Sequence, residues 1–160
     1  MSTILLTMLL TASEGVSPEA AFETIKGLAG KWVGHVVTAD GPETSVEYRV
    51  TSGGNTVLEV QFPGTDDEMV SVYFLDGKEL VAKHYCAMGN QPEMKLDAKA
   101  SSARELVFVF TGGTNLDAAK DYHVHGGKIS IADGRLESAW DVYNGATKEA
   151  ANRFFLTRAK

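Results

Sequence analysis

From Trp32 to the C-terminus, apolar residues recur at every second position, in short runs that stop at glycine, asparagine, aspartate or proline. That period puts side chains alternately on the two faces of an extended strand. The clearest run spans residues 44–51, where Val46, Tyr48 and Val50 alternate with Ser45, Glu47 and Arg49. Further strands are expected at 32–38, 56–62, 68–75, 79–86, 93–97, 105–111, 122–132, 135–143 and 149–158. Ser52-Gly53-Gly54-Asn55, Asp76-Gly77, Asp133-Gly134 and Asn144-Gly145 supply the residues that tight hairpins need at positive φ. Pro63-Gly64 and Gly89-Asn90-Gln91-Pro92 interrupt the chain elsewhere. No helical run separates these segments, as parallel strands would require. The predicted fold is all-β: an antiparallel up-and-down barrel of about ten strands.

One short N-terminal helix precedes the strands. Ser17 is a capping residue, Pro18 suits the first helical position, and Glu19 favours the positive end of the helix dipole. Phe22, Ile25 and Leu28 or Ala29 share one face, and Gly27 and Gly30 bracket the stop. Upstream, Ile4 to Leu10 form an apolar run too short to span a bilayer, followed by the small residues Thr11, Ala12 and Ser13. The pattern predicts a signal peptide over 1–13, although no Lys or Arg precedes the apolar run. A genuine leader implies export to the periplasm or beyond; otherwise the protein stays in the cytoplasm. Residues 14–160 suit a single domain.

Composition narrows the partners. The net charge is −6, with acidic and basic residues interspersed rather than gathered into a basic stripe. That argues against a nucleic-acid partner and against attraction to an anionic membrane surface. Cys86 is the one cysteine, which excludes an intrachain disulfide and cysteine-based metal motifs.

Strand parity places the candidate site residues. Lys83 should face water, which turns His84 and Cys86 inward with Leu80 and Ala82. Ile129 and Ile131 should face inward, opposite to Lys128 and Ser130. His123 and His125 follow them inward unless Gly126-Gly127 hides a bulge, which would flip them. Trp140 and Tyr48 are also expected inside. Three histidines and a cysteine in one barrel would offer ligands for zinc, copper or haem iron, or an acid/base pair. Buried or rim histidines hydrogen-bonded to the backbone fit the same residues. Cys86 reads first as a packed thiol, with a nucleophile beside His84 as the alternative. Asn90, Gln91 and Asn115 either orient a ligand at the barrel mouth or cap turns. Asp66, Asp67 and Glu68 lack the spacing of a calcium loop and read as turn residues.

Gly30-Lys31-Trp32, placed after the helix at the start of the first strand, resembles the G-x-W opening of lipocalins and the wider calycin group. The resemblance implies a calycin-like barrel in which Trp32 plugs the closed end and Arg158 packs across its ring, with Arg153 as the alternative. His84-Tyr85-Cys86-Ala87-Met88-Gly89-Asn90-Gln91-Pro92, Gly113 to Asp117, and His123-Val124-His125 are similar to a group of uncharacterised bacterial calycin-like proteins, and that likeness implies export. Nitrobindin-like haem proteins share the Gly-x-Trp-x-Gly start, matched by Gly30, Trp32 and Gly34. They hold haem through a histidine near the C-terminus, whereas this chain has none after His125.

The expectation that follows is a protein that binds a small, largely apolar molecule inside the barrel. His84, Cys86, Asn90, Gln91, Asn115, His123, His125, Trp140 and Tyr48 would be the residues around it. An enzyme or metal or haem site built on His84, His123 and His125 is the first alternative. A solid-cored structural domain is the second. The sequence specifies no cofactor.

Overall fold

A computed structural model describes residues 15–160, so the expected leader over 1–13 lies outside the described residues. Helix α1 (Pro18–Lys26) starts where Ser17 Oγ accepts from the Ala20 amide at 3.2 Å, and it buries Ala21, Phe22 and Ile25. Ten strands follow: β1 (Gly30–Val36), β2 (Glu43–Thr51), β3 (Thr56–Gln61), β4 (Met69–Asp76), β5 (Glu79–Tyr85), β6 (Gln91–Leu96), β7 (Glu105–Thr114), β8 (Tyr122–Ala132), β9 (Arg135–Asn144) and β10 (Thr147–Arg158). Each pairs antiparallel with its sequence neighbours, and β1 also pairs with β10, so the sheet closes into a barrel. Closure leaves no strand edge free along the circuit. No helix among the described residues is long and apolar enough to cross a membrane.

The boundaries differ from expectation where backbone conformation overrides pattern. β1 stops at Val36 because Val37 adopts a φ of 75°. β6 begins at Gln91 and carries Pro92, opposite Gly113, rather than starting after the proline.

α1 packs on the strand ends at β2, β4 and β5, and closes one end of the barrel. Trp32 is buried there, and its Nε1 donates to the Leu28 carbonyl at 2.8 Å. The Arg158 guanidinium carbon stands 4.6 Å from the Trp32 ring centre. Its two terminal nitrogens donate to the carbonyls of Ala29 (2.6 Å) and Gly27 (2.8 Å). A cation over an indole contributes about 0.5–2 kcal/mol, and the two hydrogen bonds satisfy carbonyls at the helix end. Arg158, not Arg153, therefore fastens the closed end.

The register of β8 corrects one expectation. Val124 opposes Val142 and Gly126 opposes Asp141, so His125 is an extra residue without an opposite number. Gly127 lies opposite the inward Trp140, and a Cβ there would come within 2.7 Å of the indole, so only glycine fits. Beyond the bulge Val124 faces inward, while His123, opposite Tyr143, shares the outer face. The bulge at His125, where Gly126 takes φ 141°, thus removes His123 and His125 from the face that carries His84.

An interior site at the open end of the barrel

The antiparallel order brings the ends of β3, β5 and β9 and the starts of β4, β8 and β10 together at the end opposite α1. A cavity of about 40 Å³ lies there. Its wall includes Gln61, Met69, Ser71, His84, Cys86, Met94, Trp140, Val142 and Asn152, with Tyr122, His123 and Val124 along one side. Larger depressions, up to about 630 Å³ beside His125, Asp141 and Lys148, sit on the outer wall and open to solvent. The residues that follow Pro63 and those around Asn115 form loops at the same open end.

His84 is buried on β5, and its Nδ1 lies 2.9 Å from Ser71 Oγ. Burial without a compensating acid pushes its pKa down to about 4, so the ring is neutral at pH 7. Its Nε2 has no partner in the protein, and neither has the indole Nε1 of Trp140. Both atoms are buried, and both residues line the cavity. An unpartnered buried polar group is costly, which makes two on residues that line one cavity a feature that needs a physical reason. Cys86 is partly buried just beyond β5, where its sulfur accepts from the Met88 amide at 3.5 Å.

Next to the cavity lies a buried acid. Glu59 is fully buried on β3. Gln61 Nε2 donates to its Oε1 at 2.8 Å, the Tyr73 hydroxyl donates to its Oε2, and Tyr48 also hydrogen-bonds it. Burial raises the Glu59 pKa, while the hydrogen bonds from Gln61, Tyr73 and Tyr48 pull it back. The hydroxyls of Tyr48 and Tyr73 are raised well above the ordinary range, by burial first and then by the charge of Glu59. The sequence reading missed this cluster because alternation in β3 favours the wrong face: Leu58 and Val60 are the apolar pair, yet Val57, Glu59 and Gln61 are the buried ones. The signal was the turn between β2 and β3. With Thr51 opposite Thr56, Tyr48 falls opposite Glu59, and an inward Tyr48 takes the carboxyl inward with it.

His123 and His125 form a separate cluster in the wall. His123 Nδ1 is 2.8 Å from the Asp121 carbonyl, which can only accept, so that nitrogen carries the proton. Its Nε2 therefore accepts from His125 Nδ1, at 2.8 Å. The His125 ring stacks between Phe110 (4.4 Å between centres) and Tyr143 (4.1 Å). Burial, then the neighbouring His123, lowers the His125 pKa. Among the described residues, no three His, Cys, Asp or Glu side chains converge to hold a metal ion. The three-histidine arrangement therefore does not form.

The remaining expected residues serve the loops and the core. Asn90 is buried, and its amide donates to the Tyr122 carbonyl at 2.8 Å, tying the β5–β6 turn to β8. Gln91 Oε1 accepts from Thr114 Oγ1 and Asn115 Nδ2, which joins the start of β6 to the end of β7 and the loop after it. Tyr48 faces inward as expected but meets Glu59 rather than the cavity. Glu68 and Thr65 cap the turn after Pro63, through Gly64 N and Asp67 N. No family model matches the chain, and no curated protein matches it.

Proposed function

We propose that the barrel binds a small, largely apolar molecule, or the head of a longer one, in the cavity at its open end. The observation that carries this reading is the pair of buried polar atoms without partners, His84 Nε2 and Trp140 Nε1, on residues that line one cavity. Met69, Met94, Val124 and Val142 supply the apolar remainder of the wall. Binding sites of this kind combine an apolar lining with few fixed polar groups. The volume limits the occupant: about 40 Å³ is well below the roughly 150 Å³ that admits benzene. A few heavy atoms fill it, and the two methionines are the side chains best able to yield further.

The test is a titration of 15N-labelled protein with acetamide and with 2-propanol, two neutral probes of suitable size. Saturable shifts of the Trp140 indole N–H and the His84 ring are expected, with the Trp32 indole unmoved as an internal control. Trp140→Phe should weaken acetamide binding about tenfold, the worth of one hydrogen bond in a dry site. Shifts scattered over the surface, with Trp140 and His84 silent, would remove the reading.

A further inference from the structure

Four residues with soft donor atoms lie close together where β4, β5 and β6 run side by side. Ser71 pairs with His84 and Val70 with Tyr85, so Met69 comes level with Cys86 one step further. Residues directly opposite each other on two strands have Cβ atoms about 5 Å apart. Met94 on β6 pairs with Ala82, which sets it diagonal to His84, a separation that long side chains span. Met69, His84, Cys86 and Met94 all line the one cavity. Together they bring an imidazole, a thiol and two thioethers to a space of about 40 Å³.

His84 has one nitrogen to spare. Ser71 Oγ engages its Nδ1 at 2.9 Å, and its Nε2 has no partner. A hydrogen bond at the far nitrogen is what orients a histidine that binds metal. Cys86 Sγ accepts only the Met88 amide, at 3.5 Å. His123 has no nitrogen free, since both are hydrogen-bonded.

We propose that His84 Nε2, Cys86 Sγ and the sulfurs of Met69 and Met94 form a site for one soft monovalent metal ion, of the copper(I) type. The site goes beyond the organic ligand, because the same space takes one occupant or the other. Thiolate and thioether sulfur select copper(I), whereas hard cations prefer oxygen. No three His, Cys, Asp or Glu side chains meet among the described residues, so zinc lacks its usual set, and only a soft ion gains from the two methionines. Charge points the same way. On binding, the Cys86 S–H bond breaks, its proton leaves to the buffer, and a sulfur–metal bond forms. His84 keeps its proton on Nδ1, directed at Ser71 Oγ, and no group is oxidised or reduced. One thiolate and one monovalent ion leave the site neutral. A divalent ion would leave a net positive charge, and no Asp or Glu lines the cavity to balance it.

Silver(I) is the probe, with the charge and softness of copper(I) and no redox chemistry in air. It is added in chloride-free buffer to the full chain, labelled with 15N and with 13C at the methionine methyls. One equivalent should bind, shifting His84 Nε2 and the methyls of Met69 and Met94 while the exposed Met88 methyl and the Trp32 indole stay in place. Cys86→Ser should abolish binding. Met69→Leu and Met94→Leu nearly conserve volume, and each should weaken binding about tenfold or more. Ser71→Ala should weaken it about 10–100-fold by releasing the ring. The Trp32 indole resonance checks the fold of each variant. Silver that leaves His84 and the two buried methionines unmoved, or that shifts Met88 instead, would overturn the site. Silver should also displace acetamide. Acetamide binding in protein that ignores silver would overturn the metal site and leave the organic reading standing. Silver bound at these residues in protein that ignores acetamide would do the reverse.

Discussion

Single residues here carry charge states that folding has changed, and His84 is the clearest. Its pKa falls from the ordinary 6.5 to about 4 through burial. A lowered folded pKa gives stability that is present above the unfolded value and lost as pH falls through the folded one. Acidification from pH 6.5 to 4 should therefore cost roughly 3 kcal/mol at this position, at about 1.4 kcal/mol per pH unit. Urea midpoints at pH 7 and pH 4 check this, and His84→Gln should lose most of that slope. Glu59 acts in the opposite sense. Its pKa is raised, so its contribution is present below the ordinary carboxylate value and lost as pH rises. Glu59→Gln should steepen the acid loss, because it removes the group that favours low pH. His84 was legible from strand parity alone, since Leu80, Ala82 and His84 do fall on the buried face. Glu59 was not, because an acid between Leu58 and Val60 reads as an exposed position until the pairing with Tyr48 is known.

At the level of elements, two irregular places decide what the barrel wall presents. The first is the close passage of β8 over Trp140. A Cβ on Gly127 would lie 2.3 Å from the Ala139 carbonyl oxygen and 2.7 Å from the Trp140 ring. Gly127→Ala should destabilise by about 2 kcal/mol and displace Trp140 from the cavity wall. Denaturant midpoints and the Trp140 indole resonance report the two effects separately. The second is the bulge at His125. His125→Ala removes a ring stacked on both faces and leaves the buried His123 Nε2 without its donor. A loss of about 1–3 kcal/mol is expected, with acetamide binding at His84 and Trp140 unchanged. Loss of that binding instead would mean that the outer cluster and the cavity act together. The two glycines after His125 were visible in the sequence, and so was the chance of a bulge beside them. Its occurrence depends on β8 holding register with β9 on both sides of it.

For the molecule as a whole, closure is the main fact. β1 and β10 are the first and last strands, and their pairing joins the ends of the sheet. Arg158 stands at that seam, opposite Trp32, with hydrogen bonds back to the end of α1. Arg158→Met keeps the aliphatic cover over Trp32 but loses the cation and two hydrogen bonds. It should lower stability by about 2–3 kcal/mol, read from thermal unfolding by circular dichroism, with a change in Trp32 emission. By itself the sequence determined the β class, the ten segments, the capped helix and the inward faces of β2 and β5. Alternation, turn chemistry and capping are local and act over a few residues. The tertiary structure decided the rest: which face of β3 turned inward, which way the two later histidines pointed, and how little space remained. Register is set by partner strands far away in sequence, and a one-residue shift exchanges the two faces. Cavity volume is the small difference between a barrel's girth and the side chains that fill it, and no local pattern encodes that difference.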